Sequence, residues 1–193
     1  MKLVLASASP RRVELLGRLG ITFEVVPAHA EELEQHAEGP AALVLHNAEM
    51  KAAAIAAQFP DRWILGSDTT VALNGKIYGK PVDMAEAQRM LAELSGRTHV
   101  VYTAVCLRHA ASQQNHSFCE SAKVTFKALS AADIEAYTRL VNPLDKAGAY
   151  GIQAHREHII ANVEGEVETV MGLPLQAVSR CLDELGFCGV LNF

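Results

Sequence analysis

The chain has 193 residues, of which 50% are hydrophobic and 20% are charged, and its formal net charge is −5. This length and apolar content suit a large α/β domain with its own core, and we expect residues 1–193 to form a single domain. The acidic balance argues against binding a nucleic acid polymer through a broad basic face, although a few cations suffice for one nucleotide.

The cysteines and the hydrophobic runs indicate where the protein resides. No cysteine has C-x-x-C spacing or a neighbouring histidine at ligand spacing, so we expect reduced thiols at Cys106, Cys119, Cys181 and Cys188. The apolar run at the N-terminus is too short for a signal peptide, and no stretch approaches the roughly 18 apolar residues of a membrane span. These features predict a soluble, cytoplasmic protein that does not enter a membrane.

Hydrophobic periodicity and turn residues predict interleaved strands and helices. In chain order the prediction is strand 2–6, helix 10–19, strand 21–26, helix 40–58, strand 63–67 ending on Asp68, strands 71–73 and 76–78, helix 84–94, strands 98–107 and 118–126, helix 131–140, a Gly-rich loop 145–153, strands 159–163 and 167–171, and helix 174–185. Because hairpins interrupt the alternation, we expect an α/β fold with a mixed twisted sheet and flanking helices rather than a purely parallel sheet.

Local signals support two of these elements. Ser9 is a good N-cap for the helix 10–19, Pro10 suits its first position, and Gly20 can end it. Asn74-Gly75 between two short strands is a strong signal for a type I′ hairpin.

The segment between the first strand and the first helix is a candidate for chemistry. Ser7 and Ser9 precede a helix whose first turn carries Arg11 and Arg12. A helix N-terminus offers free N–H groups, and arginines add forked donors that match phosphate oxygens. This pattern is typical of a triphosphate cradle, yet taken alone it fits a capped surface helix with solvated arginines at least as well. It lacks the glycines and the Gly-Lys-Ser/Thr ending of a P-loop.

Asp68 is the second candidate because it follows an apolar strand. The carboxyl ends of strands line the ligand crevice of open α/β sheets. A carboxylate there can hold a divalent cation or orient a water for attack on phosphorus. The alternative is an aspartate that caps a turn.

Three lysines and a glutamine complete the set. Lys51, Lys80 and Lys146 each lie beside small residues or a turn, where a charge can be positioned closely. The loop 145–153 ends on Gln153, whose carboxamide can read the edge of a nucleobase. Singly, each lysine is more typical of a solvated surface, and the loop is equally typical of an ordinary tight connection.

Two other kinds of site are disfavoured. His155 and His158 have a spacing that suits metal ligands only on a helix, whereas the flanking sequence predicts loop and strand. A Ser/His/Asp mechanism lacks support because the sequence has no nucleophile-elbow signature.

These segments occur in the order and spacing of the Maf family, which the chain resembles from Leu5 to Leu175. The matching segments are Leu5-Ala6-Ser7-Ala8-Ser9-Pro10-Arg11-Arg12, Glu14-Leu15-Leu16, Glu31-Glu32, Lys51-Ala52, Gly66-Ser67-Asp68-Thr69, Gly79-Lys80-Pro81, Leu94-Ser95-Gly96-Arg97-Thr98-His99, Asp145-Lys146-Ala147-Gly148-Ala149-Tyr150-Gly151-Ile152-Gln153 and Gly172-Leu173-Pro174-Leu175. One such match would be weak, whereas this many in register are specific.

The resemblance implies a fold of two lobes around a central cleft, related to the ITP pyrophosphatase-like enzymes. It implies a nucleotide diphosphatase that hydrolyses a nucleoside triphosphate to the monophosphate and pyrophosphate with a divalent cation, Mg²⁺ or Mn²⁺. Asp68 matches the family's proposed proton acceptor, and Glu32 with Asp68 would hold the metal. The other phosphate- and metal-handling positions of the family fall on Ser7, Ser9, Arg12, Lys51, Lys80 and Lys146. Relatives often form dimers, so a homodimer is an open expectation.

The resemblance also bears on the substrate. Arg11, Thr69 and Gln153 match the branch that acts on dTTP and UTP, with removal of non-standard nucleotides as an extension of that role. Two alternatives stay open, namely hydrolysis of 7-methyl-GTP or another modified nucleotide, and a nucleotide-binding regulator of septum formation. The 7-methyl-GTP branch typically has an aromatic residue in place of Arg11, and an intact Asp68 favours an enzyme over a regulator.

The chain departs from the family pattern at two places. Met50 precedes Lys51 where many relatives have Glu, which would weaken metal binding if that carboxylate contributes. Ala154-His155-Arg156 follows Gln153 where relatives usually have glycines, and this bulk would narrow the pocket or shift the base preference.

Overall fold

The computed structural model describes residues 2–187, in which we find seven strands and seven α-helices. In chain order they are β1 (Leu3–Leu5), α1 (Pro10–Gly17), β2 (Phe23–Val25), α2 (Pro40–Ala56), β3 (Trp63–Leu73), β4 (Lys76–Tyr78), α3 (Met84–Leu94), β5 (Thr98–His109), β6 (Gln114–Phe126), α4 (Ala131–Leu140), α5 (Arg156–Ile159), β7 (Ile160–Glu164), α6 (Val167–Met171) and α7 (Leu175–Glu184), with a 3₁₀ turn at Ala147–Ala149. The strands form a mixed sheet in the order β2-β1-β3-β5-β6-β7, with β4 paired to β3. The predicted α/β fold with a mixed sheet and flanking helices is therefore confirmed.

The short strand β1 pairs in parallel with a strand on each side. Leu3 lies opposite Phe23 of β2 and opposite Trp63 of β3. Leu3, Val4 and Leu5 are all buried. A strand in the middle of a parallel arrangement is covered on both faces, which explains why this segment is an unbroken apolar run.

The chain divides into two compact units. The first comprises residues 2–68, residues 103–120 and the described residues from Gly172 onward. The second comprises residues 69–102 and 121–171. The single domain over residues 1–193 and the two lobes around a cleft stay predictions.

The predicted strand end at Asp68 is wrong, because β3 continues without a break to Leu73. Aspartate is disfavoured in strands, and this is why the sequence indicated a break there. The Asp68 carboxylate is buried but has hydrogen-bond partners, which offset the cost of burying it. The parallel pairing of β1 with β3 ends at Leu5 and Leu65, so Asp68 lies beyond the end of β1.

Residues 167–171 form the short helix α6 rather than the predicted strand. Val167, Thr169 and Val170 are β-branched residues of the kind that is common in strands, but this intrinsic preference is weak. Gly165, with φ +109°, follows β7 in a conformation that side-chain-bearing residues rarely adopt, and the chain turns there. Residues 156–159, expected as loop and strand, form the one-turn helix α5.

The predicted hairpin at Asn74-Gly75 is confirmed. Both residues have positive φ, 51° and 81°, as a type I′ turn requires. The flanking strands pair antiparallel, with Leu73 opposite Lys76.

The cysteines that the structure describes are free thiols. Burial raises the pKa of Cys106 and of Cys119 to about 11 each and also raises the pKa of Cys181. Such thiols stay protonated and unreactive at neutral pH, as expected for reduced structural cysteines. Cys188 lies outside the described residues. Over residues 2–187, none of the helices combines the length and apolar character that a membrane crossing requires.

Candidate active site

The connection from β1 to α1 places Ser7 and Ser9 at the start of the helix. The Ala6 N–H donates to the Leu65 carbonyl at 2.8 Å, so the chain leaves the sheet just before Ser7. Ser7 is buried, and its hydroxyl accepts a hydrogen bond from the Ser9 N–H at 3.2 Å. Ser9 occupies the predicted N-cap position with extended backbone, but its side chain makes no capping hydrogen bond with the described helix.

Arg12 connects this segment to the turn before the last helix. Its Nε donates to the Gly172 carbonyl at 2.9 Å, and its Nη1 lies 3.4 Å from the Ser7 hydroxyl as a weak donor. The Ser67 hydroxyl donates to the same carbonyl at 3.1 Å. Gly172 has φ +111°, a conformation that favours glycine, so the point where these two side chains converge depends on that residue.

The electrostatic surroundings of Arg12 link it to the acidic residues. Burial lowers the pKa of its guanidinium, the charges of Asp68 and Glu32 raise it, and the neighbouring charge of Arg11 lowers it. Arg11, Asp68 and Glu32 therefore all act on Arg12 through their charges. A cationic pair held in this way suits phosphate oxygens, which arginine binds through its forked donors.

Lys51 on α2 bridges the two predicted metal ligands. Its Nζ donates to Asp68 Oδ1 at 2.7 Å and to Glu32 Oε2 at 2.8 Å. The Lys51 and Asp68 side chains are only 11% and 12% exposed, whereas that of Glu32 is 47% exposed. The carboxylates of Asp68 and Glu32 thus both contact the same ammonium group.

Asn47 completes the surroundings of Asp68. Its amide nitrogen donates to Asp68 Oδ2 at 3.0 Å and to the Leu33 carbonyl at 3.0 Å, and its oxygen accepts from the Leu33 N–H at 2.8 Å. Each Asp68 oxygen therefore has a partner from α2, one from Asn47 and one from Lys51. These contacts fix the plane of the carboxylate and keep its remaining lone pairs available.

The close approach of α2 to β3 explains why these side chains meet. A Cβ on Gly66 would lie 2.3 Å from the Ala48 carbonyl oxygen and 2.7 Å from the Ala52 nitrogen, so the helix backbone lies directly on the strand. Asn47 and Lys51 are four residues apart and share a helix face, as do Ala48 and Ala52. The small residues allow the approach, and the polar residues reach Asp68.

Lys146 and Gln153 belong to the second unit, within the loop that follows α4. The Lys146 Nζ donates to the Asn142 carbonyl and to Asp145 Oδ1, both at 2.6 Å. A Cβ on Gly151 would lie 2.9 Å from the Lys146 Cε atom, so the loop packs against its own lysine. Gln153 and Lys80 are exposed.

A buried aromatic cluster anchors the same loop. The His99 Nε2 atom lies 2.8 Å from the Tyr150 hydroxyl, and both rings contact Phe126 edge-on. The Gly151 N–H donates to the Tyr137 hydroxyl at 3.1 Å. Burial lowers the pKa of His99 to about 4, so its ring is neutral at physiological pH.

The structure groups the predicted site residues within each unit. In the first unit, hydrogen bonds connect Ser9 to Ser7 to Arg12, and Glu32 to Lys51 to Asp68, and Arg11 acts on Arg12 through its charge. The second unit holds Thr69, Lys80, Lys146 and Gln153. The catalytic, substrate-binding and metal-binding roles of these residues stay predictions.

Sequence reasoning missed three contributors to this arrangement. Asn47 carried a usable signal, since it precedes Lys51 by one helical turn. Ser67 and Gly172 lie in segments that match the family, but their hydrogen bonds could not be predicted because these join residues more than a hundred positions apart.

The comparisons with known proteins agree with the resemblance seen in the sequence. The family of Maf-like proteins matches residues 2–185. The dTTP/UTP pyrophosphatase of Akkermansia muciniphila is 45% identical over 184 residues, covering 95% of this chain and 96% of that protein. The dTTP/UTP pyrophosphatase of Moorella thermoacetica is 47% identical over 185 residues, covering 96% and 95%.

Solved structures also match, among them one that covers most of this chain. The nucleoside-triphosphatase, dITP/XTP pyrophosphatase, of Mycobacterium abscessus is 18% identical over 96% of this chain and 99% of its own, with a TM-score of 0.49. The family match over nearly every described residue and the identities above 40% confirm the predicted family, and the chain belongs to the Maf family.

Proposed function

We propose that this protein is a nucleoside triphosphate pyrophosphatase that hydrolyses dTTP and UTP to the monophosphate and pyrophosphate. Relatives that match over nearly their whole length bear the name dTTP/UTP pyrophosphatase. The observation that carries the proposal for this chain is the network of Asp68 with Lys51 and Asn47, in the same unit as Arg12 and Ser7.

In the proposed reaction, the first unit binds the phosphates. Arg12 and Ser7 supply donors to phosphate oxygens at the start of α1, where the helix dipole adds a partial positive charge. Arg11 adds a second cation. Lys80 and Lys146 are proposed as further cations that bind phosphate oxygens.

Asp68 acts on the attacking water. Its carboxylate is held in one orientation by Lys51 and Asn47, so a lone pair can accept a proton from a water placed against the α phosphorus. Lys51 contacts the carboxylate directly, and it offsets negative charge that develops during the reaction. The proton leaves the water for Asp68 as the oxygen attacks, and the bond to the leaving pyrophosphate breaks.

The carboxylates of Glu32 and Asp68 fit a divalent cation. Both carboxylates contact the Lys51 ammonium, at 2.8 and 2.7 Å, so both already lie against a single positive charge. Carboxylate oxygens are the ligands that Mg²⁺ and Mn²⁺ prefer. Such a cation would supply positive charge beside the phosphates and the departing pyrophosphate.

The proposal extends to substrate choice and setting. Arg11, Thr69 and Gln153 are proposed to select pyrimidine nucleotides, with Gln153 contacting the base through its carboxamide. We further propose a cytoplasmic location, a homodimer, and no nucleic acid polymer or membrane among the partners.

The test measures pyrophosphate release from dTTP, UTP, 7-methyl-GTP and the remaining common triphosphates, each with Mg²⁺ and with Mn²⁺. We expect dTTP and UTP to be the preferred substrates. A preference for 7-methyl-GTP would overturn the substrate assignment, and release from none of the nucleotides would leave the regulator of septum formation as the better reading.

The Asp68→Asn substitution tests the role of Asp68 directly. The amide keeps the size of the side chain but cannot accept the proton, so we expect kcat to fall at least about 100-fold while nucleotide still binds. Asp61→Asn, at an exposed position before β3, is the matched control and should leave kcat unchanged. Near-normal turnover of Asp68→Asn would remove Asp68 from the catalytic role.

A further inference from the structure

The segment after Gln153 forms a tight turn that brings two histidines together. His155 has φ 56°, in the left-handed region, and directly precedes the four-residue helix α5. The His158 N–H donates to the His155 carbonyl at 3.0 Å. His158 thus lies in α5 and His155 directly before it, and this turn rather than a longer helix brings the two histidines together.

Glu157 lies between the two rings. Its Oε1 atom is 3.7 Å from His155 Nδ1 and 3.5 Å from His158 Nε2. One potential ligand atom from each of the three side chains lies within 4.8 Å of the other two. All three side chains are exposed, so small rotations can adjust these distances at little cost in packing.

These distances approach those of a metal coordination sphere. Metal–nitrogen and metal–oxygen bonds of about 2.0–2.2 Å at tetrahedral angles place neighbouring ligand atoms roughly 3.4 Å apart. Both contacts of Glu157 are within a few tenths of an ångström of that separation. In the described part of the chain, these three residues are the group of three histidine, cysteine or acidic side chains whose potential ligand atoms all lie within 4.8 Å of one another.

We propose that His155, Glu157 and His158 form a surface site for a divalent transition-metal ion of the Zn²⁺, Co²⁺ or Ni²⁺ class, with water completing the coordination. Two imidazoles and one carboxylate favour these ions over Mg²⁺, which prefers oxygen ligands alone. The site therefore differs in chemistry from the carboxylate pair Glu32 and Asp68. It does not depend on the proposed hydrolysis.

The charges around the turn are compatible with a bound cation. The nearby ammonium of Lys127 donates to the Glu157 backbone carbonyl at 2.5 Å and not to the Glu157 carboxylate. Asp133 acts electrostatically on His158, which adds negative charge to the surroundings. A metal here would cross-link residues 155–158, directly beyond Gln153.

The test titrates Ni²⁺ into the full chain, purified without a histidine tag, and measures binding by calorimetry. A double variant, His155→Gln with His158→Gln, should bind one Ni²⁺ fewer per chain or bind that ion at least about 10-fold more weakly. Glu157→Gln should weaken the same binding event to a smaller degree. Thermal unfolding without metal checks that each variant is folded.

The matched control removes another histidine pair. His36 and His46 have ring centroids 6.3 Å apart, close to the 5.8 Å of His155 and His158, but are not part of a group of three ligands in the described structure. The double variant His36→Gln with His46→Gln should keep the full binding. In side-chain NMR, the resonances of His155 and His158 should broaden first as Ni²⁺ is added.

Two results would overturn the proposal. One is unchanged Ni²⁺ binding in the variant that lacks His155 and His158. The other is an equal loss in the control variant, which would indicate unspecific binding by surface histidines. Because the measurement uses no nucleotide, it separates failure of this site from failure of the proposed pyrophosphatase activity.

Discussion

The side chain of Asn47 contacts Asp68 and the backbone of Leu33 at the same time. A buried amide in this position satisfies both backbone groups of Leu33, and Leu33 directly follows Glu32. The same residue therefore orients Asp68 and ties down the segment that carries the second acidic group. Lys51 repeats this connection through charge, since it contacts both Glu32 and Asp68.

Gly66 tests whether the close approach of α2 to β3 maintains this arrangement. In Gly66→Ala, the added methyl group would meet helix backbone at 2.3 and 2.7 Å, and backbone cannot move aside as a flexible side chain can. We expect the free energy of unfolding to fall by about 2 kcal/mol or more, and kcat to fall because Asp68 shifts relative to Asn47 and Lys51. Urea denaturation and pyrophosphate release measure the two effects.

The control for this substitution is Gly17→Ala. A Cβ at Gly17 meets no atom within 4 Å, so the free energy of unfolding should stay the same or rise by up to about 1 kcal/mol. If Gly66→Ala were as stable and active as Gly17→Ala, the helix–strand contact would not be what positions Asp68.

At the scale of elements, helices α1 and α4 begin with serines that have different contacts. Ser130 caps α4: its hydroxyl accepts from the Asp133 N–H, and Asp133 accepts from the Ser130 N–H, which makes a capping box. Ser9 makes no such bond with the described part of α1. A serine kept at a helix start without a capping bond is available for another partner, such as a phosphate oxygen.

Substituting each serine by alanine should separate the two roles. Ser130→Ala should lower the free energy of unfolding by about 1 kcal/mol and leave kcat/KM per folded molecule unchanged. Ser9→Ala should change stability by less than about 0.5 kcal/mol, but it should lower kcat/KM because we propose that this hydroxyl contacts a phosphate oxygen. A loss of stability in Ser9→Ala equal to that in Ser130→Ala would show that Ser9 is an ordinary cap.

For the whole molecule, His99 makes stability depend on pH. The folded chain holds this buried ring neutral with a pKa of about 4, against an ordinary value of 6.5 in the unfolded chain. Within the described chain its Nδ1 atom has no hydrogen-bond partner, so no neighbour there stabilises a proton on that atom. As pH falls from 6.5 towards 4, His99 is protonated in the unfolded chain but stays neutral in the folded chain. The free energy of unfolding therefore falls.

The expected contribution of His99 is a loss of about 2 kcal/mol between pH 7.5 and pH 5, which reflects linkage between protonation and unfolding. Urea denaturation at several pH values measures this slope in the wild type and in His99→Gln. The variant should have a flatter slope even if it is less stable at every pH. His29→Gln, at an exposed position, should keep the wild-type slope, and an equal slope in all three proteins would contradict the assignment.

Much of the fold could be predicted from the chain because the signals are local. The apolar run of β1, the proline at the start of α1 and the Asn74-Gly75 turn each act over a few residues. The wrong predictions concern segments whose local preference for one secondary structure was weak or differed from the structure that the folded chain adopts. The break expected at Asp68 failed because hydrogen-bond partners distant in sequence offset the cost of a buried aspartate in a strand. The strand expected at 167–171 failed because the intrinsic strand preference of its residues is weak.

For the candidate site too, some features could be predicted from the sequence and others came only from the folded structure. Residue types and their order identified Ser7, Arg12, Lys51 and Asp68 as candidates, since anion binding and proton transfer require those side chains. The partners of Asp68, the bridge from Lys51 to Glu32 and the convergence of Arg12 and Ser67 on Gly172 emerged from the folded chain alone. The physical reason is that a hydrogen bond depends on positions within about 3 Å, and packing of α2 on β3 sets those positions, whereas a sequence records only which groups are available.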